Sequence, residues 1–90
     1  MTTEQKRMLF VLAETHQQFK AWCLDNDKSF HDPNIRYIYT ESDLRGMNDF
    51  DYTIYGTPHR RKDFNDIMFL LKDAKMYRGT KFIETKQRYG

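Results

Sequence analysis

The sequence is short of the residues that staple or punctuate a chain. One cysteine, Cys23, cannot pair within the chain, so a disulfide scaffold is excluded. Two prolines and four glycines leave no Pro/Gly-rich linker, and no repeat or low-complexity tract is visible. No apolar run approaches the roughly 18 residues of a membrane-spanning helix. The opening MTTEQKRMLFVLAETH lacks the apolar stretch of a secretory signal, so a cytoplasmic location is expected. Several catalytic signatures are missing as well. No G-x-x-x-x-G-K-[ST] occurs to cradle a triphosphate, and Ala13-Glu14-Thr15-His16 stands where a dinucleotide-binding G-x-G-x-x-G would follow the first apolar run. His16, His31 and His59 lack the spacing of metal ligands, so neither a metal nor a cofactor is expected.

Ninety residues suffice for one domain, taken as 1–90, with a small core. Leu, Ile, Val and Phe total only 19 residues, and the aromatics (7 Phe, 6 Tyr, 1 Trp) supply the remaining apolar volume. Met8–Leu12 is continuously apolar, as a strand buried on both faces would be. Thr15 can cap a helix whose stripe carries Phe19, Trp22 and Cys23, which makes Cys23 a buried, inert thiol. A second strand reads Ile35–Tyr39. Thr40-Glu41-Ser42-Asp43 can cap a short turn through Leu44 that ends at Gly46, and a third strand reads Tyr52–Tyr55. Asp63 caps the clearest helical pattern (Phe64, Ile67, Met68, Leu71, Ala74), with Lys72, Lys75 and Arg78 toward its C-terminal end. Gly79 stops that helix, and Lys81–Thr85 reads as a last strand.

The order β-α-β-α-β-α-β predicts an α/β fold: a small three-layer, mostly parallel, four-stranded Rossmann-like sheet. The first strand should be internal, which leaves the strand orders 2-1-3-4 and 3-2-1-4 open. Ligands of such sheets bind at the carboxyl ends of the strands. That rule selects Thr15, His16, Thr40, Thr57, His59, Arg60 and Arg61 as candidate ligand-binding residues. Arg60 and Arg61 would pair phosphates with their forked donors, Thr15, Thr57 and His59 would orient the ligand, and Gly56 would let backbone approach closely.

Charge is segregated behind a net of +2: residues 25–51 carry seven acids and three bases, residues 58–90 nine bases and four acids. The basic end, with Tyr77 and Tyr89 among Arg78, Lys81, Lys86 and Arg88, also resembles a weak nucleic-acid surface, but a pI near 8.7 favours a solvated face. Tyr37 and Tyr39 share one face of the second strand. Three short helices cover two sheet faces thinly, so some of this aromatic surface should stay exposed for a partner protein or a second copy.

The segments Ile35-Arg36-Tyr37-Ile38-Tyr39, Asp43-Leu44-Arg45-Gly46 and Asp51-Tyr52-Thr53-Ile54-Tyr55-Gly56-Thr57 resemble a recurrent pattern in small uncharacterised proteins of tailed phages. They are also similar to the strand, Leu-Arg-Gly, strand region leading into the Walker B segment of phage terminase and helicase-like ATPases. Gly56-Thr57 stands where those enzymes carry acids, and Walker A is missing. The resemblance, over about a quarter of the chain, therefore implies a nucleotide-binding-like fold of phage origin without ATP hydrolysis. The leading expectation is a non-catalytic protein that captures an anionic or nucleotide-derived ligand at the strand ends. The alternative is an interaction module, a phage accessory or host-takeover factor, docking on a host protein through aromatic and charged surfaces. A small hydrolase using His16 or His59 is a third and weaker reading.

Overall fold

Met8 to Leu12 alternate between two apolar layers, and that alternation sets the architecture. In the computed structural model, which describes residues 8–46, 49–74 and 81–85, this run is the interior strand β1 (Met8–Leu12) of an all-parallel sheet. Helix α1 (His16–Asp25) leads to β2 (Ile35–Tyr37), and a 3-10 turn (Glu41–Leu44) leads to β3 (Phe50–Ile54). A second 3-10 turn (Pro58–Arg60) and α2 (Phe64–Ala74) precede β4 (Lys81–Phe82). The strand order is β2-β1-β3-β4, one of the two arrangements the sequence allowed, and the fold is α/β.

Even-numbered β1 residues face α2. Phe10 and Leu12 pack with Phe50, Tyr52, Ile38, Leu44, Ile67 and Leu71. Odd-numbered ones face α1, where Val11 and Ala13 meet Phe19, Trp22, Cys23, Ile35 and Tyr37. The sheet is thus the middle of three layers. The chain runs from β1 to β2 over one face, then back across β1 to β3 and on to β4 over the other, so all three crossovers share one hand.

The strand limits differ from the sequence pattern for identifiable reasons. The second strand was expected to reach Tyr39 but ends at Tyr37, the Ile38 N–H making the last bond to β1, to the Val11 carbonyl at 3.2 Å. Beyond it, the Ile38 and Tyr39 carbonyls are taken by Arg61, and the Tyr39 N–H by Asp43. The last strand was expected to run to Thr85. Ile83 still donates to Tyr52, but Thr85 is drawn beneath α1, where its hydroxyl accepts from Trp22 Nε1 (2.8 Å) and meets the Thr53 hydroxyl (3.1 Å). The third strand begins earlier than expected because Phe50 and Asp51 pair with Met8 and Leu9.

Thr15 caps α1 as expected, its Oγ1 accepting from Gln18 N at 3.2 Å. Asp63 accepts from Ile67 through its carbonyl, while its carboxylate serves Arg61 instead of the helix end. Cys23 is fully buried, and burial, with the Asp32 charge adding to it, raises its thiol pKa. Lys75, Tyr77, Arg78, Gly79, Lys86, Arg88 and Tyr89, on which the helix stop and the basic end were read, lie outside the described residues.

Candidate functional site

In a doubly wound sheet the ligand crevice opens where successive crossovers leave in opposite directions, which here is between the carboxyl ends of β1 and β3. The residues of that crevice bond to one another. The Thr57 hydroxyl donates to Glu14 Oε1 at 2.6 Å and accepts from Gln18 Nε2 at 3.0 Å. Gln18 Oε1 accepts the N–H groups of Glu14 (3.0 Å) and Thr57 (3.2 Å). One amide therefore bridges the two loops. Gly56, at φ +75°, makes room for it, since a Cβ there would lie 2.2 Å from Gln18 Oε1. The close approach expected at Gly56 is made by the chain's own glutamine.

Arg61 lies beside that crevice, at the ends of β1 and β2. Its Nε and NH2 form a fork on the Asp63 carboxylate (2.9 and 3.0 Å). NH1 donates to the Ala13 and Ile38 carbonyls (3.0 and 2.7 Å), and NH2 also donates to that of Tyr39 (2.7 Å). All five guanidinium hydrogens are engaged, and the side chain is only 8% exposed. Sequence reasoning offered Arg61 to a phosphate; its geometry makes it a clamp on the ends of β1 and β2. No donor is left for a ligand.

The other expected residues separate. Thr15 is occupied as a helix cap, and the Thr40 N–H binds the Asp43 carboxylate at 3.2 Å. His59 and Arg60 stand exposed on the second 3-10 turn. His16 goes elsewhere: its ring lies 5.4 Å from Phe19, 5.5 Å from Tyr37 and 5.8 Å from Tyr39, nearly parallel to the last. Tyr37 and Tyr39 meet edge to face at 4.8 Å.

Comparison with protein-family models, curated proteins and solved structures finds no match.

His16 borders a cavity of about 470 Å³ beside the edge strand β2, which none of the other six candidates lines. Phe19, Phe30, Tyr37 and Tyr39 wall it on the α1 side; Met8, Phe10 and Arg36 reach it from the opposite sheet face. Tyr39 is 61% and Phe30 41% exposed, with the Lys20 ammonium 5.1 Å from the Phe30 ring centroid. The buried phenols of the α1 layer are satisfied: Tyr37 donates to the Glu14 carbonyl at 3.2 Å and Tyr55 to Asp25 at 2.9 Å. Burial raises the Tyr37 pKa, with the Arg61 guanidinium opposing and the charges of Asp63, Tyr39 and Glu14 adding to the rise.

Among the described residues no group of three or more His, Cys, Asp or Glu is placed to hold a metal ion, and no helix is long and apolar enough to cross a membrane. Sequence reasoning singled out the strand-two tyrosines but missed Phe30 and Asp43 as their neighbours. Phe30 lies in a polar loop with no periodicity to assign it a side.

Proposed function

We propose that the chain is a non-catalytic interaction module that docks a partner protein at the β2 edge. One observation carries this reading: the 470 Å³ cavity is walled by partly exposed aromatic rings at an open sheet edge, while the polar groups of the switch-point crevice are used internally. Exposed aromatic surface rimmed by charge is the composition of protein-binding patches, and a monomer of this size has little reason to leave it uncovered. Capture of an anion at the strand ends loses the forked donors of Arg61, which are all engaged within the chain, and this weakens it as a reading. If the origin is a phage, as the resemblance implied, the partner is a host protein met in the host cytoplasm.

The test is a display selection of peptides on the wild-type protein, with counter-selection on Tyr39→Ser/Phe30→Ser, alongside a thermal-shift panel of nucleotides and inorganic phosphate. Peptides retained by the wild type and lost on the double variant are expected. A nucleotide that raises the wild-type Tm but not that of Arg60→Ala would overturn the reading in favour of anion capture.

A further inference from the structure

The backbone of β2 faces β1 on alternate residues only. Leu9 N–H donates to the Asn34 carbonyl and Ile38 N–H to that of Val11, so Asn34, Arg36 and Ile38 turn their peptide groups inward. Ile35 and Tyr37 turn theirs outward. The Ile35 N–H is taken by Asp32, and beyond the strand the Tyr39 N–H is taken by Asp43. Among the described residues the edge therefore presents one complete outward pair, the N–H and C=O of Tyr37. The cavity wraps around this point onto both faces, with aromatic rings on one and Arg36, Met8 and Phe10 on the other.

We propose that β2 receives an extended segment of a partner protein by antiparallel strand addition centred on Tyr37. The inference rests on the docking reading above and names its mode. Antiparallel pairing lets a single partner residue exchange both hydrogen bonds with Tyr37. That residue's side chain falls on the Tyr37 face and enters the ring-walled lobe of the cavity. The next residue falls opposite Arg36, on the other face. Charge selects its chemistry. Arg36 is exposed and has no ion-pair partner among the described residues, whereas Asp32 and Asp43, which also line the cavity, already accept backbone N–H groups. The segment is accordingly a large apolar or aromatic residue followed directly by Asp or Glu. A second copy fits less well, because two-fold pairing on Tyr37 sets the two Arg36 side chains diagonally on one face, about 7–8 Å apart.

Peptides selected on the wild type should carry the apolar–acidic pair, and Arg36→Glu should shift the second position to Lys or Arg. N-methylation of the anchor residue's amide should weaken binding about tenfold or more, while methylation of the next residue, whose N–H points away, should change it little. Bound peptide should slow hydrogen exchange at the Tyr37 amide. Failure to select any Tyr39-dependent peptide overturns the docking reading itself. Peptides that bind but tolerate every N-methyl group, or that leave Tyr37 exchange unchanged, overturn strand addition alone. A concentration-dependent dimer that is lost on binding such a peptide would make the occupant a second copy, and overturns the partner assignment.

Discussion

Two places on the sheet, the crevice at its carboxyl end and the β2 edge, differ in what they do with their polar and apolar groups. Between β1 and β3, Glu14, Gln18 and Thr57 satisfy one another, and beside them Arg61 satisfies the carbonyls at the ends of β1 and β2. At the β2 edge, by contrast, the rings of Tyr39 and Phe30 are left to solvent. A fold position that is usually a binding site has become a lock, and the unfinished surface has moved to the edge. Position in a fold suggests where to look for a site; whether donors are free decides whether one is there.

The contrast is most sharply tested by Arg61→Ala. It removes a buried guanidinium and strands the Asp63 carboxylate and three carbonyls, so a loss of about 3–5 kcal/mol is expected in urea unfolding. Arg61→Lys, with three donors and no fork, should recover only part of that. A near-neutral Arg61→Ala would break the idea of a lock. Gly56→Ala comes next, at about 1–3 kcal/mol, because a Cβ is strained at positive φ and displaces the Gln18 amide. In a double-mutant cycle Gln18→Ala should relieve the displacement but not the backbone strain.

Alkaline stability gives a subtler comparison. The Cys23 and Tyr37 pKa values are both raised in the fold, so the unfolded chain loses these protons first. Their contribution is fully present below the unfolded pKa values, about 8.5 for a thiol and 10 for a phenol, and falls as pH rises from there toward the folded values. Cys23→Ala should flatten the first part of that decline in denaturant titrations at pH 8 to 10. The smallest effect on stability belongs to Tyr39→Ser at the open edge, within about 0.5 kcal/mol. Peptide binding should nevertheless be lost there.

How much of this was legible depended on the range of the interactions. β1 was readable to its ends because five adjacent apolar side chains suit only a strand covered on both faces. Phe19, Trp22 and Cys23 marked the buried stripe of α1 by local spacing. The lock was not readable. Gly56 signalled a close approach, but the group that approaches, Gln18, is 39 residues from its partner Thr57. The three carbonyls held by Arg61 lie 22, 23 and 48 residues away and have no side-chain signature at all. An arginine in a loop reads the same whether it serves a phosphate or the ends of two strands.

The Trp22 indole, buried among apolar side chains and tied to Thr85 just beyond β4, gives the protein a built-in optical gauge. It is the sole tryptophan in the chain, so its emission reports one place without labelling. Release of the segment after β4 would expose that nitrogen to water and shift the fluorescence to the red while the other strands stay paired. The attachment of the last strand can thus be followed separately from global unfolding, in the unmodified protein.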